Sequence, residues 1–372
     1  MIVIFTFFAV IIKENNHNNI IIRAGINRFP QGLKVAEKEY LTIDPGAILL
    51  MGEGTEIEIK GNIVARGTKK NPIIFKSENN VLWRGIKIIG GNSNLDLEGY
   101  KQAIRNKTFN ESDYLESIKN GNIFNYCHFE NLAAENKERV AENRLKAAIE
   151  ANNTTLTVSN SIFANIVNIG CVKTQDSLAL VNHNFTDSKM VMKAFHFVRS
   201  FHITYDNKLI PKKGERLLWP VGIYTKSGVG IIYGNEIEGF GDNGIDNDNN
   251  CLVYIIKNTI TDIYDDGIDI DYQTEAYVVG NKINSTADNG ILISEQSTAI
   301  LIDNEISNTN VGITLRNGGR TFIKNTNISQ SKYGIKIFNQ VPLFIDKNDF
   351  SNIKEKLKSL DKSDWDYYGI YT

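Results

Sequence analysis

The sequence predicts an all-β parallel solenoid with about 22–23 residues per coil, and three observations lead there. An Asn followed two residues later by Ile recurs at Asn235, Asn258, Asn281 and Asn304, at intervals of 23, and an Asn returns at Asn325 after 21. A Gly-Ile pair keeps the same beat at Gly222, Gly244, Gly267, Gly290, Gly312 and Gly334. Between these marks run short alternating segments, such as Tyr277–Ile283 and Gly290–Ser294, joined by polar turns that leave no room for a helix. One such unit cannot close a core by itself. Stacked in register, each strand pairs with its equivalents above and below at about 4.8 Å, and the core becomes continuous. In that arrangement the recurrent Asn sits at a turn in a left-handed conformation and forms a side-chain ladder, the Gly turns a corner, and Ile245, Ile268 and Ile291 stack inside.

Taken along the chain, residues 1–12 are an apolar run ending at Lys13, too short to span a bilayer and suited to a secretory signal or to a first strand. Residues 13–353 are expected to be the solenoid, with interruptions near 92–151 and 187–219. Residues 92–122 are charged and helix-tolerant, and Asn131–Ile149 places apolar residues at helical spacing. The segment 187–219, with His196, His202 and Trp219, reads as an irregular connection. The tail 354–372, charged and then aromatic, is expected to cap the open end of the stack.

Composition removes several function classes. With 41 Lys and Arg against 43 Asp and Glu, a net charge of -2 supplies no bulk field for a phosphate backbone, so a nucleic-acid partner is not expected. Cys127, Cys171 and Cys251 are odd in number and far apart, which suits buried core thiols rather than a disulfide framework or a metal site. The five His show no metal-ligand spacing. No transmembrane helix and a monomer are expected.

Aligning the coils on Gly puts two columns on the outside, because Ile points in and a strand alternates with period two. At Gly plus two the column reads Tyr224, Asp246, Asp269, Leu292, Thr314, Lys336. At Gly plus four it reads Lys226, Asp248, Asp271, Ser294, Arg316, Phe338. Four carboxylates therefore cluster on two rungs, and Asp242, Asp265 and Asp288 stack in the turn before, with Asp266 beside Asp265. Like charges about 5 Å apart repel by roughly 3 kcal/mol at an effective dielectric of 20. A Ca²⁺ ion held by Asp246, Asp248, Asp269 and Asp271, a raised pKa, or an ion pair from Lys226 to Asp248 would relieve this. Tyr224, Lys226, Arg316 and Phe338 are the candidate substrate-binding residues, the aromatics by stacking on sugar rings and the cations by holding a carboxylate.

The repeats at 220–340, with Leu41–Gly46, Gly61–Thr68, Pro72–Phe75 and Trp83–Ile88, resemble right-handed parallel β-helix proteins, which implies that handedness for a single chain winding as one solenoid. Asp265-Asp266-Gly267-Ile268-Asp269, preceded by Asp242-Asn243-Gly244-Ile245-Asp246, resembles the active-site coils of polygalacturonases. That resemblance implies Asp265, Asp266 and Asp269 as catalytic carboxylates in an inverting hydrolysis. Asn243 stands where the first coil of that family carries Asp, and Asn289 where the next carries His. The similarity to β-helix uronate lyases implies instead a Ca²⁺-assisted elimination with Lys226 or Arg316 as base. The expectation is an exported, extracellular or cell-surface protein that binds, and as an enzyme cleaves, a polysaccharide, with uronate-containing chains included. The competing reading is a non-catalytic adhesion or structural scaffold.

Overall fold

A computed structural model describes residues 11–13, 18–79, 81–90, 95–133, 147–188, 190–191, 193–211, 220–317, 319–338 and 341–359. The chain winds as a parallel β-solenoid of about 13 turns. One wall is a fourteen-stranded sheet and the remaining strands form a second, continuous sheet of twenty-four. Every pairing is parallel except the first, where Ile11–Lys13 runs antiparallel to Asn19–Ile22. Residues 1–10 and the tail beyond Ser359 lie outside the described residues, so most of the apolar run 1–12 expected as a signal or first strand, and most of the capping tail, do too.

Strand periodicity decides what is buried. In Ala47–Met51 and Ile73–Ser77 alternate side chains are sealed while those between face out. The inward set forms one apolar column from Ile20 to Leu343. Aromatic rungs fill it locally, with Phe75, Phe129 and Phe163 stacked at centroid separations of 5.0 Å. All three cysteines are buried and free.

The Asn ladder forms and extends further than its repeat suggests. Asn184, Asn207, Asn235, Asn258, Asn281 and Asn304 are almost fully buried. Each of the first five donates its backbone N–H and its side-chain amide to the next carboxamide oxygen, at 2.9–3.1 Å. The left-handed residue is not the Asn but the one before it, Gly234 at φ 65°, Lys257 at 51°, Gly280 at 65° and Asp303 at 55°. Asn325 likewise takes that preceding position, exposed at φ 50°, and Thr326 occupies the rung. The Gly column serves close approach more than a corner. A Cβ on Gly244 would lie 2.7 Å from the carbonyl oxygen of Gly267, and one on Gly267 would lie 2.6 Å from that of Gly290.

Two interruptions differ from expectation. The helix-like spacing of Asn131–Ile149 does not carry through, because Cys127–Ala133 and Ala147–Asn152 are rungs of the solenoid and Ala147, Ala148 and Ile149 are sealed in it. Residues 134–146 lie outside the described residues. The segment 187–219 is not an irregular connection over 193–211. Lys193–Val198, Phe201–Tyr205 and Lys208–Pro211 are regular strands, while 212–219, with Trp219, are not described. Consecutive residues are buried on both faces of Lys193–Val198 and Phe201–Tyr205, which hides the period-two alternation.

Helices do form within 92–122. α1 (Leu97–Arg105) is capped by Asp96, whose side chain accepts from Gly99 N at 2.8 Å. α2 (Glu111–Ile118) is capped in the same way by Asn110. Their apolar faces bury Ile104, Tyr114 and Ile118 on Leu178, Leu180, Phe201, Ile203, Val229 and Leu252, outside the fourteen-stranded wall. Tyr114 Oη donates to Ala179 O at 2.6 Å, and Arg105 pairs with Glu275 at 2.9 Å. This flap covers an apolar patch that the solenoid wall would otherwise show to water.

Candidate functional site

The outward columns align as the Gly register predicts. Tyr224, Asp246, Asp269, Leu292, Thr314 and Lys336 are successive register partners. Asp246 and Asp269 are half-buried neighbours on adjacent rungs, about 4.8 Å apart along the stack. Asn243 Nδ2 donates to Asp269 Oδ2 at 3.3 Å, and Asp269 Oδ1 is sealed from solvent without a hydrogen-bond partner. Burial, reinforced by the charges of Asp246 and Asp266, holds the Asp269 carboxyl well above the usual carboxylate range. Burial also pushes Asp246 up to about 7, against the pull of the Lys193 ammonium. Two carboxyls on adjacent rungs cannot both ionise freely, so ionisation of one raises the pKa of the other.

The turn before this strand carries a second polar stack. Asp266 is 3% exposed, and its Oδ1 accepts both the backbone N–H of Asn289 at 2.9 Å and the Asn289 amide at 2.7 Å. The Asp266 N–H donates in turn to Asn243 Oδ1 at 3.2 Å. Burial and then the charge of Asp265 raise Asp266 to about 7. Asp242 is raised to about 6 by burial and by Asp265, and Asp265 is raised by burial and then by Asp288. Asp266 is thus a buried link that orients Asn243 toward Asp269, while Asp265 stays half-buried at the rim.

The predicted substrate-binding groups divide between the rung next to Asp246 and rungs further along the stack. Tyr224, expected as an open stacking platform, is 3% exposed. Lys193 Nζ lies 3.2 Å over its ring centroid, and its Oη donates to Asp248 Oδ2 at 2.9 Å. Lys226 pairs with Asp248 at 3.7 Å, the ion pair expected from their register. Arg316 is exposed and Phe338 half-buried, two and three rungs beyond Asp271, or roughly 10 and 14 Å along the stack. They do not border the Asp246–Asp269 pair.

Asp246, Asp248, Asp269 and Asp271 share one face, but their oxygens do not converge. Asp271 accepts from Ser294 Oγ at 2.6 Å and from Tyr272 N at 2.8 Å, and Asp248 is engaged by Tyr224 and Lys226. Among the described residues, the carboxylates whose oxygens all approach within 4.8 Å are Asp265, Asp266 and Asp288. Amide donors already use part of that set, since Asp288 accepts from Asn289 at 3.1 Å and from Asn310 at 3.3 Å. These three could hold a hard cation only in competition with those amides.

Two residues of this face carry no Gly-Ile signal. The outward column continues upstream from Tyr224 to His196 and Lys173. There the pair preceding the outward position is Ala194-Phe195 or Cys171-Val172 instead of Gly-Ile. A small residue followed by a large apolar one is the signal that finds them. Lys193, one residue earlier, completes the group.

A model of the right-handed β-helix region matches residues 147–305 and 266–371, which together span more than half of the chain. The chain is a right-handed β-helix protein. Among solved β-helix structures, it is similar to a PL6 alginate lyase in complex with a trisaccharide, at 14% identity and a TM-score of 0.50, covering 92% of this chain and 82% of that one. It is also similar to the A-module of the mannuronan C-5 epimerase of Azotobacter vinelandii, at 12% identity and a TM-score of 0.44 over 91% and 88%. A third is the Streptococcus pneumoniae surface protein and adhesin PfbA, at 10% identity and a TM-score of 0.38 over 92% and 91%. No curated protein matches this β-helix chain in sequence. No helix among its described residues is long and apolar enough to cross a membrane.

Proposed function

We propose that this β-helix binds a polysaccharide along its outward column and that Asp269, coupled to Asp246, serves as the proton donor for its cleavage. The observation that carries the reading is the buried Asp269 Oδ1, which has no protein partner on an outward strand position while Asn243 holds the other oxygen. The proton retained by this carboxyl sits on Oδ1, the oxygen without a donor, so delivery to a bound chain requires the half-buried side chain to turn outward. Hydrolysis and β-elimination both need a proton on the departing glycosidic oxygen, and a carboxyl held well above the usual carboxylate range is suited to deliver it. An alginate lyase with a bound trisaccharide on the same fold is in keeping with a saccharide on this scaffold. An extracellular or cell-surface location belongs to the same reading, because such polymers lie there.

Incubation with polygalacturonate, alginate and glycosaminoglycans, following both reducing ends and unsaturated uronates, tests it. The expected result is turnover that Asp269→Asn lowers by about 10²-fold or more while binding persists. Undiminished turnover in Asp269→Asn would sink the assignment, and binding without turnover in the unaltered chain would make it a non-catalytic binder.

A further inference from the structure

Beside the outward columns the chain turns from the Gly-Ile strands toward the fourteen-stranded wall, and the stacked turns there form a groove of about 470 Å³. That volume lies within the roughly 300–1,000 Å³ of small-molecule sites. Ser227 and the turn pairs Asn249-Asn250, Tyr272-Gln273 and Glu295-Gln296 line it. A backbone ladder fixes the floor, with Asn250 N–H donating to Tyr272 O at 2.7 Å and Gln273 N–H to Glu295 O at 2.9 Å. Tyr272 and Gln273 take left-handed backbone, φ 48° and 61°, so the chain turns here without a glycine and keeps a side chain at both positions. Tyr272 is 52% exposed, whereas Tyr254 and Tyr277 on the adjoining wall stack on each other at 4.5 Å.

The lining selects among ligands by its chemistry. Apart from the Tyr272 ring it offers hydroxyls, amides and one carboxylate, Glu295, to which Asn317 Nδ2 already donates at 3.0 Å. Lys101 of α1 meets the groove at its edge, on the Asn250 carbonyl at 3.1 Å. An anion would face Glu295 with no cation in the lining, and an apolar ligand would cover amides without satisfying them. A ring bearing hydroxyl groups suits both components, because amides donate and accept as hydroxyls do, and an aromatic face receives the C–H side of a sugar.

We infer that this groove binds an uncharged sugar residue, with Tyr272 stacking on its ring and the Asn250 and Gln273 amides meeting its hydroxyls. The inference rests on the reading of the adjacent column as a saccharide site and deepens it, since it makes the polysaccharide a chain that carries uncharged sugars rather than a pure polyuronate. Asn249, Tyr272 and Glu295 directly follow Asp248, Asp271 and Ser294 of the outward column. Tyr272 is three residues along the chain from Asp269, roughly 10 Å, so one oligosaccharide lying along the strand direction spans groove and proton donor.

Calorimetry on the full-length Asp269→Asn protein, which should hold substrate without consuming it, provides the test. The probes are oligosaccharides of glucan, mannan, galactan and chitin, with oligogalacturonides and alginate oligosaccharides as acidic counterparts. At least one uncharged probe should bind, with an affinity that changes by less than about twofold between about 50 and about 500 mM NaCl. Adding Tyr272→Ala should weaken that probe by about tenfold or more, and Tyr272→Phe, which keeps the ring, by less than about threefold. Should Tyr272→Ala disturb the turn, Gln273→Ala on an exposed side chain decides, with an expected loss of about threefold or more. Binding of an uncharged probe that survives both Tyr272→Ala and Gln273→Ala overturns the placement. Binding that weakens about tenfold with salt overturns the uncharged class. No binding of any uncharged probe, with an acidic one still bound, overturns the groove and leaves the polysaccharide reading standing, and no binding of any probe overturns both.

Discussion

Asp266 and Asp269 are three residues apart and both carry raised pKa values, yet their surroundings assign them different work. Asp266 accepts two donors from Asn289 on one oxygen in a nearly closed pocket, so its ionised form is held by hydrogen bonds and opposed by burial. Replacing it with Asn keeps the acceptor and removes the ionisable group. Its folded pKa lies above the unfolded value, so its contribution to stability is full below about 4 and lost as pH rises through about 7. Asp266→Asn is therefore expected to raise the melting temperature at pH 8, on the order of 3 °C, and to leave it unchanged near pH 3. Thermal melts at the two pH values check this, and a lower melting temperature at pH 8 would show that the ionised carboxylate is needed there. The pairing of Asp265 with Asp266 in sequence gave no means of telling a rim carboxylate from a buried link. That difference lies in the Asn243–Asp266–Asn289 stack, which only the coil register creates.

At the level of single elements, the ladder and the Gly column make the stack specific. Asn258 receives two donors from Asn235 and gives its amide to Ile232 O and Asn281 Oδ1, all away from water. Asn258→Ala would orphan several of these groups at about 1–3 kcal/mol each, so a loss of more than about 3 kcal/mol is expected by denaturant titration. Asn325→Gly, at an exposed left-handed position, should change stability by less than about 0.5 kcal/mol. Equal effects would mean that the ladder is not a major contributor. Gly267→Ala should be costly for a different reason, since its Cβ would press on the carbonyl of Gly290 and on Ile283, displacing the strand that carries Asp269. Turnover and stability should fall together in that variant. The beat over 222–335 was legible because Gly-Ile survives there throughout and Asn holds the ladder position as far as Asn304. Upstream the same positions hold Ala148, Cys171 and Ala194, which fit the space without repeating the letters, so rungs such as Lys193–Val198 looked irregular.

For the whole molecule, the raised carboxyls add in one direction. Asp242, Asp246, Asp265, Asp266 and Asp269 all bind protons more tightly folded than unfolded, so the stability this cluster contributes should decline as pH rises from about 4 through about 7. Buried His196 and His202, lowered to about 2 and about 3, act in the opposite direction up to their unfolded pKa, so a melting temperature that rises across that window would mean that the two histidines outweigh the cluster. The fold as a class was readable from repetition, and the Asp246–Asp269 adjacency followed from register alone. Tyr224 and Lys226 were readable from the Gly register, but His196, Lys193 and Lys173 were not, because they sit on coils whose beat is broken by the extra residues between Asn207 and Asn235. Those extra residues have a consequence of their own. In sequence the chain is longer between Cys127–Ala133 and Ala147–Asn152, and between Lys208–Pro211 and Val221–Lys226, than between the corresponding strands of the regular coils, and the amide rail from Asn207 to Asn235 is unbroken across the second. Chain length there can therefore be revised without disturbing the spine, which gives selection, or an engineer, a place to alter what lies beside Glu150 and Tyr224 while the rest of the coil stays fixed.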